Sequence, residues 1–263
     1  MPLRLGVDAA ILFSDITLIA LGFGLDLEFQ EGPVITPRVT PELSLPFLPE
    51  KLSPATDAVK IVKSETKTPL IGFCGGPFTV ATYLSDAKSW LYADPAAFHR
   101  FLSQITDLSI AMLQSQIEAG VDAVQIFDSW AAELTREQFQ LFAAPYLKRI
   151  IGSLSVPVIF FMRGGSWYID ELFALNCALS CDWQQPLFHW RKKGPLTPLQ
   201  GNLDPDILFA SPDIVRQKTR EILDSMANDP RFILNLGHGV KPKTPVESVR
   251  AFIEASCVAG KSL

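Results

Sequence analysis

Polar side chains that can do chemistry follow several short apolar runs of the sequence. Asp15 comes directly after the run 7–13, and a carboxylate in such surroundings needs a partner because burying it unpaired is costly. The candidate site residues are Asp15, Tyr83, Ser129 and His238, and Arg163 ends another apolar run.

Each of these residues also has a purely structural interpretation. Asp15 is well placed to cap a helix that begins near Ile16, and Ser129 is a common capping residue as well. Tyr83 is typical of a half-buried ring whose hydroxyl is bonded locally. His238 lies between two glycines, which leave little local packing around its ring and favour a functional role.

Two other patterns suggest sites only weakly. Gly75 and Gly76 could cradle a phosphate, but two adjacent glycines are a weak signal. Cys177 and Cys181 could share a metal ion, yet no third ligand follows at a suitable spacing, so core thiols are favoured. With Cys74 they read as reduced thiols of a cytosolic protein, as does the fourth cysteine, Cys257.

Seven apolar runs, most of them followed by helical patterns, would position these side chains. Strands that alternate with helices pair in parallel, and eight such βα units close a (β/α)8 TIM-type barrel. The sequence therefore predicts an α/β fold with an incomplete barrel of about seven units. An open doubly wound sheet is the alternative, although no GxGxxG segment opens the first helix. The predicted strands are 7–13, 69–75, 121–129, 156–162, 177–183, 197–202 and 231–239.

The remaining patterns define the helices and the domain. Helices are predicted from Pro95 to Gly120, from the cap Thr135 to about Ser153, and over 167–175, 211–228 and 245–258. The Pro-rich stretch 32–54 is predicted to be a long surface loop within one domain, residues 1–263.

Composition limits the classes of function. The 263 residues carry a net charge of −5 with no long basic block, so nucleic acid is not an expected partner. The apolar stretch 9–25 is interrupted at Asp15, which makes it too short to span a membrane, and no signal-peptide pattern precedes it.

Several motifs together resemble the uroporphyrinogen decarboxylase family. They occur in the family's order and cover essentially the whole chain, and the combination of FSDI, LQGNLDP and NLGHG is highly specific. The motifs are VDAAILFSDI, EFQEGP, GFCGGPFTVATYL, QIFDSWAAEL, PVIFF, LQGNLDP and NLGHGV.

The resemblance implies a (β/α)8 barrel, commonly a homodimer in the cytoplasm, that needs no cofactor and no metal. It implies decarboxylation of the four acetate side chains of uroporphyrinogen III to give coproporphyrinogen III in haem biosynthesis. Asp15 would face the pyrrole N–H groups at the centre of the macrocycle. Tyr83, Ser129 and His238 match the family's substrate-contacting positions.

The sequence departs from the family in one respect. Family members begin with a further βα unit bearing an arginine-rich RQAGR segment, which grips substrate carboxylates, and this segment does not occur here. The chain is therefore expected to be an N-terminally truncated barrel with weak activity. Arg163, and less clearly Arg38 in the Pro-rich stretch, are the basic residues placed to replace that segment.

Two alternatives remain open. Corrinoid and thiol methyltransferases of the same superfamily carry a zinc-binding His-x-Cys pattern near the last strands, but here Gly239 and Val240 follow His238. A non-catalytic remnant that binds porphyrinogen is the other alternative, because the arginine-rich segment is missing.

Overall fold

The computed structural model describes residues 5–259, with the backbone alone for residues 257–259. The chain forms two compact units, which are described separately. The first unit comprises residues 9–160, and the second comprises residues 5–8 and 161–259.

The first unit is built from parallel strands joined by helices, with a short antiparallel hairpin. Its main sheet has the order β1-β4-β5-β6, and the last residue of β6 is counted with the second unit. Short 3-10 turns cover Ile16–Leu18, Pro49–Leu52 and Ser129–Glu133. The elements are β1 (Ala10–Ile11), α1 (Ile19–Gly22), β2 (Asp26–Phe29), β3 (Pro33–Thr36), α2 (Ser53–Glu65), β4 (Leu70–Gly75), α3 (Pro77–Leu84), α4 (Ala87–Ala93), α5 (Pro95–Glu118), β5 (Ala123–Phe127), α6 (Arg136–Phe142), α7 (Ala144–Gly152) and β6 (Val158–Phe161).

The second unit repeats the alternation of strand and helix. Its strands have the order β7-β8-β9, and β8 pairs in parallel with both neighbours, with Leu199 opposite Leu179 and Phe232. The elements are α8 (Ile169–Phe173), β7 (Ala178–Ser180), α9 (Leu187–Lys193), β8 (Leu199–Leu203), α10 (Pro212–Ser225), β9 (Phe232–Leu236) and α11 (Val246–Ala259).

The predicted helix ends are confirmed where capping residues mark them. Asp94 caps α5 by accepting a hydrogen bond from the Ala97 N–H at 2.9 Å. Thr135 and Gln138 form a reciprocal capping box at the start of α6. Gly120 has a φ of +106°, a conformation that ends α5 and that other residues adopt at a cost.

Three details differ from the sequence predictions. β1 covers only Ala10 and Ile11, since it pairs with β4 alone in the described sheet, and Phe13 beyond it is 75% exposed. The Pro-rich stretch is not loop throughout, because Pro33 opens β3 at a strand's first position, where its missing N–H is tolerated. The helix expected over 135–153 is broken at Ala143, just before Pro145.

The predicted fold class is confirmed. Each of the seven apolar runs contains a strand, and the seven parallel strands of the described residues, with their connecting helices, are those of an incomplete TIM-type barrel. The carboxyl ends of these strands are where such folds carry their chemistry. No helix within residues 5–259 is both long and apolar enough to cross a membrane.

Candidate active site

Asp15 begins the turn that follows β1. Its Oδ1 atom accepts hydrogen bonds from the Thr17 N–H at 2.8 Å and from the Thr17 hydroxyl at 2.5 Å, and Thr17 is fully buried. The capping role expected of Asp15 is therefore confirmed. The second oxygen, Oδ2, accepts no hydrogen bond from any described residue, so half of the carboxylate remains available to a ligand.

Tyr83 lies in the last turn of α3 and is half-buried. In the described part of the chain its hydroxyl makes no hydrogen bond, contrary to the local bond that a purely structural ring would have. Its carbonyl accepts a hydrogen bond from Arg38 Nη1 at 3.3 Å, and the Ser85 carbonyl accepts one from Nη2 at 2.5 Å. A cation at a helix C-terminus is favourable, so Arg38 holds the end of α3 that carries Tyr83.

A cavity of about 250 Å³ opens beside this helix end. Its lining includes the aromatic rings of Tyr83 and Trp130 together with charges of both signs. One of its cations, Lys88, is already paired with Glu133. The cavity is therefore not a strongly basic pocket.

Ser129 begins the 3-10 turn that follows β5, and its hydroxyl has no hydrogen-bond partner among residues 5–256. The capping role suggested by its type is wrong. The capping position belongs to Asp128, and it is the Thr79 hydroxyl oxygen that accepts the Trp130 N–H of this turn, at 2.9 Å. The Ser129 hydroxyl is thus unused by the fold, as a substrate contact requires.

Asp128 is the most deeply buried carboxylate near these residues. It is 0% exposed, its Oδ1 atom accepts the Thr79 N–H at 2.8 Å, and its Oδ2 atom has no partner among the described residues. Burial raises the pKa of Asp128 from its ordinary 3.8 to about 6, against the hydrogen bonds from Thr79 that lower it. Burial, and then the Asp128 charge, raise the pKa of the Cys74 thiol as well.

The glycine pair at the end of β4 is a packing feature and not a phosphate cradle. A side chain on Gly75 would meet Ile16 at 2.8 Å and Val80 at 2.7 Å. A side chain on Gly76 would meet the Cγ atom of Asp128 at 2.3 Å. The two glycines therefore let the turn after β1, helix α3 and the turn after β5 converge on one point, which brings the segments bearing Asp15, Tyr83 and Ser129 together.

In the second unit, His238 follows β9 in an aromatic setting. Its ring makes edge contacts with Trp183, at a centroid distance of 6.1 Å, and with Phe161, at 5.6 Å. These rings come from distant segments, and His238 itself remains exposed between its flanking glycines. Partial loss of water lowers the pKa of His238, and the charge of Arg163 lowers it further, while Asp182 raises it.

Arg163 projects beyond β6 and is exposed. Its guanidinium lies 5.9 Å from the centroid of the Trp183 ring and forms no ion pair with any described residue. The neighbouring Asp182 is buried, and its carboxylate accepts the N–H groups of Gly164 and Gln184. Burial raises the pKa of Asp182, and these N–H groups and then the Arg163 charge oppose the shift.

The structure thus groups Asp15, Tyr83 and Ser129 in the first unit, and Arg163 and His238 in the second. The sequence analysis missed Asp128 and Asp182, although both lie at the end of a predicted strand. Their polar type at such a position was the available signal. Thr79 carried no signal, because its importance depends on a contact with a residue 49 positions away.

The cysteine side chains differ in burial. Cys74 and Cys181 are buried, as expected of core thiols, whereas Cys177 is only partly buried, and the side chain of Cys257 lies outside the described residues. Within the described part of the chain, no three His, Cys, Asp or Glu side chains are grouped so as to hold a metal ion.

Polar side chains that follow the strands of a TIM-type barrel are typical of enzymes, whose active sites lie at the carboxyl ends of those strands. The chain belongs to the uroporphyrinogen decarboxylase family, because the sequence model of uroporphyrinogen decarboxylase (URO-D) matches residues 2–257. The chain is similar to the uroporphyrinogen decarboxylase of Protochlamydia amoebophila, with 41% identity over 94% of this chain and 74% of the relative. The enzyme of Alkalilimnicola ehrlichii is 37% identical over 96% of this chain and 76% of the relative.

A solved structure supports the fold alone. A methyltransferase from Methanosarcina mazei superposes with a TM-score of 0.86 over 98% of this chain and 82% of that chain, at 20% identity. This similarity extends the barrel assignment to the described strands and helices. It does not favour the methyltransferase alternative over the decarboxylase.

Proposed function

We propose that this decarboxylase acts on uroporphyrinogen III, removing carbon dioxide from its four acetate side chains to give coproporphyrinogen III in haem biosynthesis. Family membership supports the decarboxylase class. The observation that carries the proposal is Asp15, whose Oδ1 atom holds the turn while Oδ2 accepts no hydrogen bond from a described residue.

A carboxylate of this kind suits the centre of a porphyrinogen. Four pyrrole N–H donors converge on one point when the flexible macrocycle is domed, and one carboxylate can accept from them. The capped Oδ1 atom fixes the direction of Oδ2, so the acceptor is oriented before the substrate arrives.

Decarboxylation needs an electron sink next to the acetate. A proton added to a carbon of the adjacent pyrrole gives a cationic ring, and the electron pair of the bond to carbon dioxide then flows into that ring. A proton added to the resulting methylene, with loss of the ring proton, restores the pyrrole and leaves a methyl group. Each acetate thus consumes one proton and releases one carbon dioxide.

In this scheme Asp15 stabilises the positive charge that the ring carries until carbon dioxide leaves. Tyr83 and Ser129 orient the macrocycle through hydroxyl groups that make no hydrogen bond to any described residue. His238 contacts the substrate as a largely neutral ring at pH 7, because its pKa is lowered.

Substrate capture falls mainly to Arg163. Its guanidinium has no ion-pair partner among the described residues, whereas both Nη atoms of Arg38 donate to backbone carbonyls. The single positive charge of Arg163 offsets little of the repulsion between a substrate with eight carboxylates and a protein with a net charge of −5. We therefore propose weak substrate binding and slow turnover for the 263-residue chain. We also propose that the chain is a single barrel domain that forms a homodimer in the cytoplasm.

The experiment compares Asp15→Asn with Asp204→Asn in decarboxylation of uroporphyrinogen under anaerobic conditions. Asp204 is a matched control, because it caps a 3-10 turn through the N–H two residues on, as Asp15 does. Asn retains the capping oxygen in both variants. Asp15→Asn is expected to lower kcat by about 100-fold or more, the scale of a lost electrostatic stabiliser, and Asp204→Asn by less than about threefold. Equal turnover in the two variants would refute the role of Asp15.

A further inference from the structure

Helix α3 and the turn after β5 are joined at the end of the sheet by two reciprocal hydrogen bonds, the exchange between Thr79, Asp128 and Trp130. Asp128, which leads into the turn, accepts the Thr79 N–H of the helix at 2.8 Å. In return, Thr79 accepts the Trp130 N–H of the turn at 2.9 Å. Gly76, the capping residue of α3, makes no side-chain cap, so Asp128 performs that function from another strand.

We propose that Asp128 and Thr79 are positioning residues, which fix the Tyr83 and Ser129 hydroxyls relative to each other and thereby orient the substrate. The inference rests on the proposed function, in which those two hydroxyls contact the macrocycle.

The placement of the two bonds supports this role. Thr79 and Tyr83 are four residues apart in α3, so they lie one turn apart on the same face of the helix. Ser129 lies between Asp128 and Trp130, and each of these neighbours takes part in one of the bonds. Both hydroxyl-bearing residues are therefore tied to the same exchange.

Burial leaves the exchange little freedom. Asp128 is 0% exposed and Thr79 is 2% exposed, so water cannot replace either bond easily. The Cα atom of Gly76 packs directly against the Asp128 side chain, since an added Cβ would come within 2.5 Å of three side-chain atoms of Asp128. The registry of β4 and β5, with Gly75 opposite Phe127, places these residues side by side.

A thermodynamic cycle distinguishes positioning from simple stabilisation. Tyr83→Phe removes the hydroxyl, and Thr79→Val removes the acceptor of the Trp130 N–H while keeping the shape of the side chain. If the exchange positions Tyr83, loss of the Tyr83 hydroxyl weakens substrate binding less once the exchange is broken. The effects of Tyr83→Phe and Thr79→Val on binding are then not additive. A residue that only stabilised the fold would leave the effect of Tyr83→Phe unchanged in the folded fraction.

The measurements are kcat and KM for uroporphyrinogen, with absorbance titration of oxidised uroporphyrin as a binding readout that needs no turnover. We expect Tyr83→Phe to raise KM and the porphyrin Kd about tenfold alone, and less than about threefold in the Thr79→Val background. Thr79→Ser, which keeps the hydroxyl, should restore the wild-type values to within about twofold. The matched control is Thr106→Val, which removes a buried hydroxyl that donates to the Leu102 carbonyl of its own helix. In that background the effect of Tyr83→Phe should stay about tenfold.

Additive effects in a folded, active Thr79→Val chain would overturn the inference and leave the proposed function intact. A wild-type chain that binds uroporphyrin but does not decarboxylate uroporphyrinogen would overturn the proposed function, while the binding cycle would still decide the inference. If Thr79→Val does not fold, the same cycle is run with Asp128→Ala, which removes the acceptor of the Thr79 N–H. An additive cycle there has the same meaning.

Discussion

Replacing Gly76 with alanine tests the packing that brings the site segments together. The added Cβ would lie 2.3 Å from Cγ of Asp128, 2.4 Å from its Cβ and 2.5 Å from its Oδ2, all well inside van der Waals contact. Asp128 is fully buried and cannot turn into solvent. The methyl group therefore displaces the carboxylate and lengthens its bond to the Thr79 N–H.

The expected cost has two parts. Overpacking of a filled site costs about 1–3 kcal/mol, and loss of a capping bond costs about 0.5–2 kcal/mol. Gly76→Ala should therefore lower the free energy of unfolding by about 3 kcal/mol. For a chain of this length that corresponds to a fall in Tm of about 6–12 °C.

Gly152→Ala is the matched control, since nothing lies within 4 Å of a Cβ added at this last residue of α7. Alanine is favoured over glycine in helices, so this change should leave stability equal or raise it by up to about 1 kcal/mol. Both variants are compared by thermal melting followed by circular dichroism and by urea unfolding at pH 7. A Tm for Gly76→Ala within about 2 °C of that for Gly152→Ala would refute the packing argument.

Three further predictions concern charge and binding. Because the pKa of Asp128 is raised from 3.8 to about 6 in the folded chain, the stability that its protonated form contributes is full below pH 3.8 and lost as the pH rises through about 6. Relative to Asp128→Asn, the wild type should therefore lose about 2 kcal/mol between pH 4 and 7 in urea titrations; a difference that does not change with pH would contradict this. Arg163→Met should raise the pKa of His238 in an NMR titration, because it removes a positive charge while burial still lowers that pKa; an unchanged value would show that the two groups do not interact. His238→Ala should raise KM with kcat reduced only in part, and a folded variant with no turnover at all would identify His238 as an essential acid instead.

The parts of the fold that the sequence predicts are those with strong local signals. The seven strands come from apolar runs such as 69–75, and the cap residues Asp94, Thr135 and Asp15 are of types that bond to nearby N–H groups. The hairpin of β2 and β3 has no such signal. Three of the four residues in Asp26–Phe29 are exposed, and the strand does not alternate between buried and exposed faces.

The parts of the site that the sequence does not predict depend on contacts between distant segments. Asp128 and Thr79 are 49 residues apart, and Arg38 reaches carbonyls 45 and 47 residues further along the chain. Residue type suggested a carboxylate contact for Arg38, but the fold uses both its Nη atoms to hold the end of α3. Similarly, the rings around His238 come from two other strand ends, so its local sequence suggested an isolated side chain.

Carbon dioxide released per uroporphyrinogen III consumed tests the proposed reaction most directly. The purified chain is incubated anaerobically with uroporphyrinogen III, carbon dioxide is trapped and counted, and the tetrapyrroles are oxidised and separated by their number of carboxyl groups. Four carbon dioxide molecules for each coproporphyrinogen formed, with intermediates of seven, six and five carboxyl groups, is the predicted result. Uroporphyrinogen that is bound at saturating concentration by the folded chain but recovered with all eight carboxyl groups would contradict it.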